Sequence, residues 1–162
     1  MRLAILADTH MPKGMRSLPE ACIRELERAD LIVHLGDFSA ASVLAELEGV
    51  GPPVAAVHGN VDDAELRLRL PEELELELED CRITLVHDAG PARGRLGRMR
   101  RRFPDADAVL FGHSHLPLHE RGADFQIFNP GSPTERRRAP ARSMGVAELA
   151  GESVELKHVF FG

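Results

Sequence analysis

The sequence predicts an α/β fold in which two mixed β-sheets pack together with helices outside them. Three observations carry this reading. Residues 2–60 alternate strand-type apolar runs with helical stretches, which favours parallel strands joined by crossover helices. The stretch "EELELELED" (72–80) alternates acid and leucine, the period of a strand with one wet face. After residue 105 the chain reads mostly as strand, closing in a long hairpin.

Taken in order, "RLAILAD" (2–8) is a short strand of buried type ending at Asp8. "SLPEACIRELERA" (17–29) is a helix: Ser17 and Glu20 have capping-box spacing, and Leu18, Cys22, Leu26 and Ala29 share one face. "DLIVHLGD" (30–37) is a second strand, ending at Asp37. In "SAASVLAELEG" (39–49), Ala40, Val43, Leu44 and Leu47 form the inward face of a second helix, with Gly49 near its end. "PVAAVHGN" (53–60) is a third strand, ending at Asn60. Past a turn near Asp80, "CRITLVHD" (81–88) is a strand ending at His87. A helix around Leu96, Met99 and Phe103 leads into "DADAVLFGHSH" (105–115), a strand ending at His113 and His115. "LPLHE", "DFQIFNPGS" and "SMGVAELAGESVELKHVFF" supply the remaining strands, the last turning at Gly151.

Bulk properties narrow the function classes. At 162 residues the chain suits one domain and is short for two. A net charge of −6 argues against a general nucleic-acid binder, although local basic clusters leave nucleic acid open as a partner. No apolar run approaches the ~20 residues that span a bilayer, and "MRLAILAD" turns acidic too early for a signal peptide. Cys22 and Cys81 lie outside any metal-ligand spacing and read as reduced packing residues. The expectation is a cytoplasmic protein with no membrane contact.

Five apolar runs each finish in a group able to hold a metal: Asp8 with His10, Asp37, Asn60, His87, and His113 with His115. One such ending means little. Five of five is hard to assign to chance, because ligands of open α/β sheets bind beyond the carboxyl ends of the strands. Glycines in "GD", "GN" and "GH" let the backbone turn tightly at these ends.

The ordered series "DTH" (8–10), "GD" (36–37), "GN" (59–60), a later histidine and "GHSH" (112–115) resembles the calcineurin-like metallophosphoesterases. The likeness is closest to their small bacterial and archaeal phosphodiesterase branch, which shares the "NPGS" turn of 129–132. The resemblance implies one metallophosphoesterase domain over residues 1–162, a four-layer α-β-β-α sandwich, and a binuclear centre. It assigns Asp8, His10, Asp37 and His115 to one ion and Asp37, Asn60, His87 and His113 to the other, with Asp37 bridging. Carboxylate, amide and imidazole donors without thiolate suit Mn²⁺ foremost, with Ni²⁺, Fe²⁺, Co²⁺ and Zn²⁺ as alternatives. Two such ions, about 3.5–4 Å apart, would clamp a phosphate and lower the pKa of a shared water, whose hydroxide would attack phosphorus in line.

The implied activity is hydrolysis of a small or nucleotide-like phosphodiester. A phosphomonoesterase or nucleotide pyrophosphatase on the same site stays open. So does a non-catalytic protein-binding scaffold, because a retromer subunit has this fold, although a scaffold would tolerate loss of ligands and here the set is complete. A homo-oligomer is likewise left open. Two positions depart from the family pattern: Asp88 stands where glycine is usual, and Val61 where several relatives have histidine, so no dedicated leaving-group acid follows Asn60. His34 and His58 read as core groups or supports for ligands, and His119 and His158 as ordinary strand residues. Arg93–Arg102, with six arginines, reads either as a solvated helix face or as a phosphate-steering patch, and "ERRR" (135–138) has the same two readings.

Overall fold

Strand alternation builds the layers in the computed structural model, which describes residues 1–162. Strands β1 (Arg2–Leu6) and β2 (Leu31–His34) send Leu3, Ile5, Leu31 and Val33 to one face and Ala4, Leu6 and Ile32 to the other. The second face is covered by α1 (Glu20–Glu27) and α2 (Ala41–Glu48) through Cys22, Leu26, Val43, Leu44 and Leu47. The chain then adds β3 (Val54–Ala56), α3 (Ala64–Arg69), β4 (Glu73–Leu78) and β5 (Cys81–Val86). Helix α4 (Arg95–Arg102) precedes β6 (Ala108–Leu110), β7 (Leu118–Arg121) and β8 (Gln126–Asn129). The hairpin β9 (Arg142–Ala150) and β10 (Ser153–Phe161) turns at Gly151, as expected.

The first sheet has the order β10-β9-β1-β2-β3 and the second β4-β5-β6-β8-β7. Leu3, Ile5 and Val33 of the first meet Ile83, Leu85, Leu110 and Phe128 of the second in a shared core. On the far face of the second sheet, Val86, Val109 and Ile127 pack on Met99 and Phe103 at α4. The four layers are therefore helix, sheet, sheet, helix. Strands β1, β2 and β3 are parallel, as are β5, β6 and β8. Their carboxyl ends gather the loops that follow at one end of each sheet. No helix is long and apolar enough to cross a membrane.

Three local expectations change. The Ser17–Glu20 capping box does not form: Pro19 holds the N-cap position, Ser17 lies too far upstream, and Glu20 pairs instead with Arg24 at 2.7 Å. Helix α3 has no counterpart in the sequence reading, and Asp63 caps it by accepting from Leu66 N–H at 2.9 Å. The third change bears on the site. Strands β1, β2, β3, β5 and β6 stop at Leu6, His34, Ala56, Val86 and Leu110, so the residues read as strand ends lie in the loops beyond.

Candidate metal centre

These loops share an uncommon backbone. Asp8, His10, Asp37, His113 and His115 have φ of 55°, 45°, 59°, 69° and 58°, in the left-handed region that side chains with a Cβ disfavour. Such strain persists only where the surroundings over-determine it. Here the loops after β1 and β2 are tied together, with Asp8 N–H donating to Gly36 O and His10 N–H to Asp37 O, both at 3.0 Å. Asp62 then braces the loop after β2 against the loop after β3, its carboxylate accepting from the N–H groups of Asp37 (3.0 Å), Ser39 (2.9 Å) and Gly59 (2.7 Å). Gly36 is required at this contact: its φ is 90°, and a Cβ there would lie 2.6 Å from Gly59 N.

The "NPGS" turn holds the remaining loops. Buried Asn129 donates through Nδ2 to Gly112 O at 2.8 Å and to Ser114 Oγ at 3.1 Å. Ser132 Oγ donates to Asp8 O at 2.8 Å, and Thr134 Oγ1 to Thr9 O at 2.7 Å. One turn thus fixes both the "DTH" and the "GHSH" loops.

All seven predicted residues come together. Asp8, His10 and His115 form one group of ligand atoms within 4.8 Å of one another, and Asp37, His87 and His113 form a second. In the first, His10 Nε2 lies 3.2 Å from His115 Nε2, which lies 3.5 Å from Asp8 Oδ1. In the second, Asn60 Oδ1 lies 3.0 Å from His87 Nε2 and 3.1 Å from His113 Nδ1. Asp37 Oδ2 faces both groups, 3.6 Å from His10 Nε2 and 3.3 Å from His87 Nε2. Its other oxygen accepts from Val61 N–H at 3.0 Å, which holds the carboxylate in that pose. His87 Nδ1 donates to Leu35 O at 2.7 Å, so in the neutral ring Nε2 carries the lone pair that points inward.

Electrostatics fits this donor set to a cation. Asp8 is fully buried, and burial pushes its carboxyl up to about 8; its Oδ2 has no hydrogen-bond partner. Burial also opposes ionisation of Asp37, but His87, the Val61 N–H and His10 outweigh it and hold the carboxyl at about 2. His10 and His115 are pushed toward the neutral form by burial, His115 to about 4. Buried carboxyl oxygens and imidazole nitrogens thus converge at short range. A divalent cation satisfies all of them together.

Comparison with known proteins gives this arrangement its family. Residues 1–152 match the model of the calcineurin-like phosphoesterase superfamily domain. The chain belongs to that superfamily. A probable metallophosphoesterase of Methanothermobacter thermautotrophicus is 31% identical over 164 residues, covering 100% of this chain and 94% of that protein. A phosphodiesterase of Methanocaldococcus jannaschii is 25% identical over 81% of this chain and 83% of its own length. Among solved structures, Vps29 of Entamoeba histolytica complexed with Zn²⁺ superposes with a TM-score of 0.80 over 100% of both chains. At 21% identity that likeness is one of fold.

Around this calcineurin-like centre, several supports were not legible in the sequence. Asp62 follows Val61 in a turn, and nothing in its spacing marks a carboxylate that accepts three N–H groups from two loops. His34, for which the sequence left a core role and a supporting role open, is fully buried and supports the loops; its Nδ1 accepts from Gly36 N–H at 3.2 Å and its Nε2 lies 3.1 Å from Thr9 Oγ1. Of the Arg93–Arg102 stretch, Arg93, Arg101 and Arg102 are exposed, as a solvated helix face requires, whereas Arg95, Arg98 and Arg100 are engaged. Arg95 and Arg98 turn back to donate to the carbonyls of Gly90, Ala89 and Pro91, in the loop after His87. Arg100 donates to Pro104 O and Ala106 O, both at 3.1 Å. These guanidiniums cap loop carbonyls. Of the "ERRR" group, Glu135 Oε2 lies 3.6 Å from His115 Nδ1, and Arg137 pairs with Glu135 at 3.4 Å.

Proposed function

We propose that this chain is a two-metal phosphodiesterase acting on small or nucleotide-like phosphodiesters. The observation that carries the reading is Asp37 Oδ2, set between the two ligand groups at 3.6 Å and 3.3 Å from their nearest imidazole nitrogens. Asp8, His10 and His115 would hold one ion and Asn60, His87 and His113 the other, with Asp37 shared. Mn²⁺ is the first choice, and Ni²⁺, Fe²⁺, Co²⁺ and Zn²⁺ suit the same donors. When bound, such ions neutralise charge on the non-bridging phosphate oxygens and make water acidic enough to act as nucleophile near neutral pH.

The chain's own residues set the rest. The first group is buried, whereas Asn60 and His113 are exposed, so a phosphoester approaches from the second side. A cavity of about 270 Å³ lies there, lined by His58, Asn60, His87, Asp88 and His113 among others. Val61 is 47% exposed and brings no proton donor, so a departing alkoxide relies on a bound metal or on water. Similarity to an archaeal phosphodiesterase supports this substrate class. Two free, buried cysteines suit a reducing compartment such as the cytoplasm.

The decisive measurement is metal content. Chain reconstituted with Mn²⁺ should hold about two ions and hydrolyse bis-p-nitrophenyl phosphate. Asp37→Asn should lose both ions together, because it removes the shared charge. Elemental analysis showing two retained ions in that variant would refute the shared role of Asp37.

A further inference from the structure

Beside the first ligand group lies a cavity of about 310 Å³ whose walls include His10, Lys13, Arg16, Ser39, Glu135 and Arg137. Three cations face it against a single carboxylate. Glu135 orients two of them, 3.4 Å from Arg16 and 3.4 Å from Arg137, and one carboxylate cannot occupy the five N–H donors of each guanidinium. Lys13 adds a third positive charge from the short 3-10 turn Lys13–Met15, immediately after the "DTH" loop. Arg137 also lines the neighbouring cavity of about 280 Å³ at His113 and Ser114, so it stands beside both ligand groups. On the opposite side, the cavity at Asn60 and His87 sets Glu72, Glu73 and Asp88 against Arg67 and Arg102 and has no such excess of positive charge.

We propose that the cavity at Lys13, Arg16 and Arg137 binds a second phosphate of the substrate. The preferred substrate is then a small phosphodiester carrying an additional phosphomonoester dianion on one arm. Two oriented guanidiniums match the fork geometry of phosphate oxygens, and three cations suit a dianion better than a single carboxylate. The arm without extra charge faces the mixed cavity at Asn60. The substrate class rests on the phosphodiesterase reading; the anion cavity does not.

Two measurements separate these parts. First, metal-stripped chain is titrated calorimetrically with phenyl phosphate as its dianion and with diphenyl phosphate, a monoanion. Phenyl phosphate should bind more tightly. Lys13→Ala, at an exposed position that packing does not need, and Arg137→Gln should each weaken it about tenfold or more. Variants that bind it as well as the parent chain, or no binding by the parent chain, would overturn the cavity. Second, Mn²⁺-loaded chain is given the p-nitrophenyl ester of thymidine 5′-phosphate with and without a 3′-phosphate. The 3′-phosphorylated ester should have a kcat/KM about tenfold higher, and Arg137→Gln should bring that ratio toward one. Equal kcat/KM for the two esters in the parent chain would overturn the substrate assignment. Cleavage of neither ester with phenyl phosphate binding intact would instead remove the phosphodiesterase reading and leave the cavity standing.

Discussion

Asp8 is fully buried with one carboxylate oxygen unpartnered, so folding without a cation is costly wherever the pH would ionise that group. Burial raises its pKa from 3.8 to about 8. A raised folded-state pKa contributes stability below pH 3.8 that is lost as the pH rises through about 8. In metal-stripped chain, Asp8→Asn should therefore gain stability relative to the parent across that window, with the gain levelling off above it. Urea denaturation of both proteins at the two ends of the window checks this, and a gain independent of pH would contradict it. Asp62 makes the complementary case. Its carboxylate satisfies three N–H groups, so Asp62→Ala should cost about 2 kcal/mol or more and weaken metal binding about 10–100-fold. Asp62→Asn, which keeps one accepting oxygen, should recover part of both in denaturation and Mn²⁺ titration.

Helix α4 shows how an element can be read correctly in kind and incompletely in use. Its apolar positions Met99 and Phe103 do face the second sheet, as the spacing predicts. Not all of its arginines belong to a free charged face, because Arg98 Nη2 donates to Ala89 O at 2.8 Å and Pro91 O at 2.7 Å. The helix thereby clamps the loop that begins at His87. Arg98→Ala should lower stability by about 1–2 kcal/mol, with a loss that is similar at low and high salt. A steering charge would behave in the opposite way, changing kcat/KM at low salt and fading as salt screens the field. Arg98→Lys should rescue poorly, since a single ammonium cannot replace both Nη2 and Nη1, the latter donating to Arg93 O at 3.3 Å. Melting curves and kinetics across a salt series decide between the two roles.

At the scale of the whole molecule, each ligand group draws on both sheets. Asp8 and His10 follow β1 of the first sheet, while His115 follows β6 of the second. Asp37 follows β2, and its companions His87 and His113 follow β5 and β6. Occupied ion sites would therefore tie the sheets together at this end, in addition to the core formed by Ile5, Leu85 and Phe128. A ligand that binds only the folded state stabilises it by about 2.7 kcal/mol at a concentration 100 times its Kd. Mn²⁺ should raise the melting temperature in a concentration-dependent way, and much less so in His115→Ala, where the first link is cut. Melting that ignores Mn²⁺ in the parent chain would argue against ions bridging the sheets.

By itself the sequence determined the layers and which residues gather at the candidate centre, because both depend on local order along the chain. Adjacent residues in β1 and β2 face opposite layers whatever else the chain does, and runs such as "LIVHLGD" place Asp37 beyond a buried strand. The hairpin at Gly151 and the inward face of α2 were legible for the same reason. Tertiary structure decided what holds the ligands in place. The Asp62 carboxylate lies 25 residues from Asp37, and the Ser132 hydroxyl lies 124 from the Asp8 carbonyl it meets. No period or spacing encodes such contacts. The left-handed φ of Asp8, Asp37 and His113 is likewise invisible in residue types that usually avoid it. It exists because loops from two sheets, packed through a common core, have one way to converge.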